Sequence, residues 1–334
     1  MRRKTQRSVI HLLLFGGILL LVIFLNRPQT KNKTFAWNEV RYRTIANNAL
    51  PKSRGICPGL VDLAGRSSNS KPILVVSRTE ADGDPNWLDP LRELYHHCVY
   101  TVDGPDRAGT DELRVPANRG HEAMVYLTFL IDNYAQIPAA GVVFIHGTRW
   151  AWHNDAPDYD NVGLLATLNI SAALAPWGYH NLRCDWSLST CSPSASPQGS
   201  METSLQAVLD PWDARAVSDA ALPQALKALF GGRDGDEILG RTDTVRSQCC
   251  AQFVVARDRV WQHSRDEYLA LRQWLLDSMA TSDGSTDKYL RTRDAAPIDD
   301  RVAGRILSYV WHILFMSRGR SDPHTSSFGD IDLE

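Results

Sequence analysis

The 334-residue chain lacks the short signatures by which many enzymes announce themselves. It has no G-x-x-x-x-G-K-S/T phosphate loop, no G-x-S-x-G elbow, no H-E-x-x-H helix and no G-x-G-x-x-G turn. The commonest nucleotide hydrolases, serine hydrolases, zinc proteases and dinucleotide oxidoreductases are thereby set aside. No C-x-x-C pair occurs among the six cysteines, which argues against a zinc site of ordinary spacing. Lysine is scarce: beyond Lys71 there are only Lys227 and Lys288, against 21 arginines. Arginine suits bidentate contacts to phosphate and carboxylate, although a G+C-rich coding sequence gives the same bias. With a formal charge of −2 the chain has no global excess of positive charge, so DNA is not an expected partner.

What is present is globular. Forty-three per cent of residues are hydrophobic and 22 % are charged, ordinary values for a chain that buries a core. Residues 1–8 read as a basic tail carrying Arg2, Arg3, Lys4 and Arg7. Residues 9–25 are apolar apart from His11 and two glycines, and read as an uncleaved single-pass membrane anchor. Flanking charge leaves its orientation open. Residues 26–70 read as a polar stem, 71–317 as one α/β catalytic domain, and 318–334 as a disordered tail. Asn32 and Asn169 lie in N-x-S/T triplets and become glycosylation sites if the body is lumenal. Cys184 and Cys191 could close a small loop; otherwise the cysteines read as buried free thiols.

Ile73–Val76, Cys98–Val102 and Val142–Ile145 read as buried strands. Trp87–His97 and His121–Tyr134 read as the helices between them. That alternation predicts a mostly parallel sheet with crossover helices, Rossmann-like or glycosyltransferase-A-like, preceded by the transmembrane helix. Ala251–Val255 reads as a further strand. Arg265–Met279 and Arg301–Met316 read as amphipathic helices.

In a parallel sheet, ligands collect beyond the carboxyl ends of the strands. That rule picks out about forty residues, from Asn118-Arg119-Gly120-His121-Glu122 through Phe144-Ile145-His146-Gly147 to Trp152-His153-Asn154. His146 follows a strand directly. His153 sits in a loop with Trp150 and Trp152, whose rings could hold a side chain, a sugar or a base. Glu122 lies in the first turn of a helix, where it either accepts protons or merely complements the helix dipole. Asn181 and Arg183 form a second polar group, with Arg183 a candidate anion clamp. Asp299 and Asp300 precede the last helix, which carries Arg305 and His312. Paired acids there either favour the helix start or bind a cation.

Taken in order, Asn118-x-Gly120-x-Glu122-Ala123, Phe144-Ile145-His146-Gly147, Trp152-His153-Asn154, Asn181-Leu182-Arg183-Cys184, Cys249-Cys250-Ala251-Gln252-Phe253 and Gly304-Arg305 with Tyr309-x-Trp311-His312-x-x-Phe315 resemble a fungal family long catalogued as a domain of unknown function. The resemblance spans residues 72 to 316. Some members of that family are arginine-containing cyclodipeptide synthases of secondary metabolism. The resemblance implies a transferase that joins arginine and a second amino acid from two aminoacyl-tRNAs into a diketopiperazine, with neither cofactor nor metal. Its partners would be arginyl-tRNA and a second aminoacyl-tRNA. His146, His153, Glu122, Asp299 and Asp300 would be catalytic or hold cationic groups. Asn118, Trp152, Asn181, Arg183 and Arg305 would bind substrate. The chain departs from the family pattern at Ser308, where relatives carry Glu, and at Ala303, where Ser is common.

Two other classes fit the same layout. Tail, anchor, stem and α/β body are the arrangement of a Golgi glycosyltransferase, but no D-x-D stands behind a buried strand: Asp82-Gly83-Asp84 and Asp234-Gly235-Asp236 fall in loops. A membrane-anchored binding protein is the non-enzymatic alternative.

Overall fold

The computed structural model describes residues 2–25, 39–42, 54–60, 71–104, 112–175, 177–183, 196–231, 247–279 and 294–315. Five strands form one sheet: β1 (Ile73–Arg78), β2 (His96–Thr101), β3 (Val142–His146), β4 (Tyr179–Asn181) and β5 (Phe253–Val255). Their spatial order is β2-β1-β3-β5-β4. The helices are α1 (Arg2–Leu25), α2 (Glu122–Asp132), α3 (Asn161–Thr167), α4 (Ile170–Leu174), α5 (Met201–Leu209), α6 (Ala214–Phe230), α7 (Arg257–Val260), α8 (Arg265–Asp277) and α9 (Asp300–Phe315).

The α/β class holds, but the mostly parallel sheet does not. β1 pairs in parallel with β2 and with β3. β5 then enters between β3 and β4 and runs antiparallel to both, with Phe144 opposite Phe253 and Asn181 opposite Phe253. The sheet is therefore mixed. The alternation of strand and helix is regular only through β3. β5 is three residues long, too short to display a direction in sequence.

The expected transmembrane helix, and with it the single-pass membrane location, is also corrected. Among the described residues no helix is long and apolar enough to cross a membrane. The apolar run at 9–25 lies inside α1, whose first turns carry Arg2, Arg3, Lys4 and Arg7. At about 1.5 Å per residue that run covers about 25 Å, short of the ~30 Å hydrocarbon layer.

Strand alternation divides the core into two layers. Ile73, Val75, Phe144, Phe253 and Val255 face one side, where α2, α6, α8 and α9 pack. Leu74, Val76, Val143, Ile145 and Val254 face the other, under Leu88, Leu91, Tyr95 and Leu165. Tyr126, Phe144, Phe253, Trp311 and Phe315 form an aromatic centre with ring centroids 4.7–6.3 Å apart.

Other expectations shift locally. The helix expected over 87–97 is a 3₁₀ segment, Pro85–Leu91, because Pro90 lies inside it; β2 already begins at His96. Parts of the 26–70 stretch lie on the body: Val40, Cys57 and Leu60 are buried in the first core layer. The cysteines are not all free thiols. Cys57 is bonded to Cys98 and Cys249 to its neighbour Cys250, where the backbone is left-handed, φ 80°; the strand expected over 251–255 begins only at Phe253. Cys184, Cys191, Asn32 and the 318–334 tail lie outside the described residues.

Candidate active site

The carboxyl ends of β1, β2, β3 and β4 and the start of β5 meet at one edge of the sheet. His146 ends β3, in register with Ser77 of β1. Beside it, Arg78 donates from Nη1 to Thr101 Oγ1 at 3.1 Å. Gly147 is required there. A Cβ at that position would lie 2.2 Å from Arg78 Cβ and 2.8 Å from Asp82 Oδ2, so the chain can leave the strand against β1 only without a side chain.

The structure brings His146 and His153 together at this edge. Their ring centroids are 4.1 Å apart, and the Trp152 ring lies 4.1 Å from His153 on its other neighbouring contact. His146 Nε2 and His153 Nδ1 are sealed from solvent with no hydrogen-bond partner among the described residues. Burial pushes the His146 pKa below its ordinary value, against the opposing fields of Glu122 and Asp82. Burial pushes His153 well below, and His146, Arg305 and Arg183 add to the effect. Both rings are therefore neutral at pH 7 and keep a lone pair for a proton.

Glu122 begins α2, and its field reaches His146 and Tyr126. Just before it the backbone turns through Gly120 (φ 72°) and His121 (φ 52°). A Cβ on Gly120 would lie 2.8 Å from the Leu275 methyls. Asp300 fastens this turn: Oδ1 accepts from Arg119 Nη1 at 2.7 Å and Gly120 N at 2.5 Å, and Oδ2 lies 3.7 Å from His121 Nε2. Asp299 faces another way. It accepts from Arg301 N and Nη2, both at 2.9 Å, as a helix cap, and the Arg301 guanidinium holds its carboxyl below the usual range. The two acids that look paired in sequence therefore have separate partners.

Asn181 and Arg183 are buried and tied to backbone. Asn181 Nδ2 donates to Cys249 O at 2.9 Å, and its Oδ1 accepts from Arg183 N at 2.9 Å. Arg183 Nη1 donates to Asn154 O at 3.1 Å and to Trp152 O, bracing the loop that carries His153. Its guanidinium lies 5.6 Å from both the Trp152 and Tyr159 ring centroids. Arg305 is half-buried on α9, and its field reaches His153, Tyr309 and Asp219. Tyr309 donates to Asp219 Oδ1 at 2.7 Å. Desolvation raises the Asp219 carboxyl and drives the Tyr309 hydroxyl far up. Asn118 is exposed ahead of the turn. Asn169 is exposed and caps α4 by accepting from Ala172 N at 3.0 Å.

Sequence reasoning gave no role here to Asp82, His121, Asn161, Asp219 or Gln252. Gln252 stood inside a quoted block, but an isolated Gln carries no signal of burial. Among the described residues, the group able to converge on a metal ion is Cys57, His96 and Cys98, away from this edge, and its two cysteines are joined to each other.

A mixed five-stranded α/β domain with a neutral histidine pair at the strand-end edge is what the fold and site define. The chain belongs to the family described as Protein of unknown function (DUF3431), whose model matches residues 74–327. No curated protein and no solved structure shows a significant match to it.

Proposed function

We propose that the chain makes a cyclic dipeptide of arginine and a second amino acid from two aminoacyl-tRNAs. The observation that carries the reading is the close, neutral His146–His153 pair, rings 4.1 Å apart and tilted by 34°, within the field of Glu122. An aminoacyl ester is already activated, so the protein must place an amine against the ester carbonyl and move protons. A neutral imidazole takes the proton as the first α-amine attacks. The ester C–O bond breaks, and the proton passes to the departing ribose oxygen. The second amine attacks the remaining ester in the same way and closes the ring.

The arginine side chain needs an acid. Asp299 is bound to Arg301, Asp300 to Arg119 and Gly120, and Asp82 Oδ2 accepts from Thr79 N at 2.7 Å. Glu122, whose carboxylate has no hydrogen-bond partner among the described residues, would receive the guanidinium. Arg305, whose field reaches His153 and which also meets the Tyr309 hydroxyl, would meet the ester carbonyl or a terminal phosphate. Expression in a yeast host, with mass spectrometry of the culture, tests the reading. A new arginine-containing diketopiperazine, absent in His146→Ala, supports it. Abundant folded protein with no such product, in the culture or with purified arginyl-tRNA and a full set of second aminoacyl-tRNAs, ends it.

A second reading, a lumenal glycosyltransferase, is favoured by the Cys57–Cys98 disulfide, because such bonds persist in oxidising compartments. Against it, the carboxylates of the Asp82-Gly83-Asp84 triplet cap backbone: Asp84 Oδ1 accepts from Asn86 N at 2.9 Å, and Asp82 Oδ2 from Thr79 N. Glycan on Asn169 together with free thiols absent at Cys57 and Cys98 would move the assignment to this class.

A further inference from the structure

Three side-chain amides sit beneath the histidine pair. Gln252, Asn161 and Asn154 are each 0 % exposed. Gln252 Oε1 accepts from His146 N at 3.1 Å and from Asn161 Nδ2 at 3.3 Å. Gln252 Nε2 donates back to Asn161 Oδ1 at 3.0 Å. Asn161 Oδ1 also accepts from Asn154 Nδ2 at 2.9 Å, and Asn161 Nδ2 also donates to Thr148 O at 3.0 Å. Asn154 Oδ1 accepts from Ala156 N at 2.9 Å, and its Nδ2 reaches Tyr159 O at 3.2 Å. Every amide oxygen and nitrogen in the set has a partner. The direction of each amide follows from those partners: Asn161 Nδ2 must face Thr148 O, so Asn161 Oδ1 must face the other two amides.

We infer that Gln252, Asn161 and Asn154 are positioning residues that hold the His146–His153 ring pair in contact. The inference deepens the reading above, and it rests on that reading for its effect on rate but not on geometry. The chain of contact is short. Gln252, on the residue before β5, grips the backbone of His146 at the end of β3. Asn161, the first residue of α3, ties Gln252 to Thr148. Asn154 is the residue after His153. Both ends of the 147–160 loop are thereby clamped to a neighbouring strand, and the two rings are set 4.1 Å apart. The clamp is uncharged, which suits its place. A carboxylate under His146 would stabilise the imidazolium and raise its pKa, whereas amides satisfy the backbone and leave both rings neutral.

The comparison pairs Gln252→Met with Asn133→Ala. Asn133 is also a 0 % exposed amide in a closed network: its Oδ1 accepts from Cys57 N at 2.8 Å and its Nδ2 donates to Gly55 O at 2.7 Å, away from the site. Histidine-labelled full-length protein is titrated by NMR, and turnover is measured beside it. In Gln252→Met the mutual ring-current shifts of His146 and His153 should collapse and both midpoints rise toward about 6.5. The kcat should fall about 10²-fold, with KM changed less than about twofold. Asn133→Ala should lower the melting temperature and leave both histidine signals in place. If Gln252→Met folds and keeps the shifts and midpoints of the parent protein, or if Asn133→Ala moves them equally, the clamp is overturned. Should Gln252→Met fail to fold, Asn161→Ser, shorter but still polar, gives the same readout. The NMR result is independent of any product, so loss of the synthase reading and loss of the clamp are separate outcomes.

Discussion

Two corners of one sheet edge use the same residue types for opposite ends. In one, His146 and His153 are half-buried, their rings 4.1 Å apart, and desolvation lowers the pKa of both. In the other, His121 stands exposed beside Asp300, and Asp300 locks Arg119 and Gly120 in place. A charge that is fully paired supports the fold and is poorly placed to change state. A neutral buried imidazole with an open nitrogen has lost its solvent and gained no partner, so it is available to a substrate. On that contrast the proposed proton transfer falls to the histidine corner, while Asp300 secures the turn that leads into α2 and Glu122.

The sharpest way to break the contrast is His146→Ala. Loss of general acid–base help typically costs about 10²–10⁴-fold in rate, so we expect kcat/KM for the cyclic product to fall by that much with the melting temperature little changed. Turnover within threefold of the parent would move proton transfer elsewhere. Acid sensitivity comes next. His312 lies within α9, away from both corners, and burial lowers its pKa to about 4. Its unfolded value is about 6.5. Because the folded pKa is the lower one, the unfolded chain binds the extra proton between these values. Stability from this group is complete above about pH 6.5 and drains away as pH falls toward 4, by about 3 kcal/mol in total. His146 and His153 add to the same trend, since both are depressed. Unfolding followed from pH 7 to pH 4.5 should show a smaller loss in His312→Phe; an identical loss in both proteins would place the acid sensitivity outside α9.

Much of this arrangement was legible in sequence, for identifiable reasons. β1 and β3 are continuous apolar runs, and a strand buried on both faces must read that way. The placement of His146 followed from its position directly after such a run. The amphipathic spacing of α8 and α9 gave them away to within two residues. What was hidden is long-range or short. β5 offers three residues and no direction. The Cys57–Cys98 bond joins residues 41 apart. The roles of Gln252 and Asn161 depend on a partner 91 residues distant. The split of Asp299 from Asp300 is also invisible, because adjacent residues at a helix start point in different directions only once α9 has packed against Gly120. The apolar run in α1 misled, since composition alone resembles an anchor while length falls short.

Asp300 and Asp299 give the two smaller tests, and together they sharpen the contrast. Asp300→Ala removes the one carboxylate among the described residues that Arg119, 5 % exposed, pairs with, leaving it bonded to Ser278 Oγ and Pro297 O. Hydrogen bonds to charged groups contribute about 1.5–3 kcal/mol each. With one partner half-exposed, we expect a loss of about 2 kcal/mol, largely restored in Asp300→Asn, which keeps an acceptor for Gly120 N. Any fall in turnover should follow the fall in stability and recover with it in the Asn variant. If Asp300→Asn is stable yet inactive, the carboxylate itself takes part, and the acidic corner is chemical after all.

Asp299→Ala removes only a helix cap and an exposed pair with Arg301. Losing such a cap costs about 1 kcal/mol, and the exposed pair adds little. The variant should melt a few degrees lower and turn over at the parent rate. Asp299 is the immediate neighbour of Asp300 and carries the same charge, so it controls for local acidity. A drop in rate as large as that of His146→Ala would mean that the acids act jointly on a cationic substrate despite their separate partners. A rate equal to the parent's, with the stability loss seen, leaves Glu122 as the acid that meets the guanidinium.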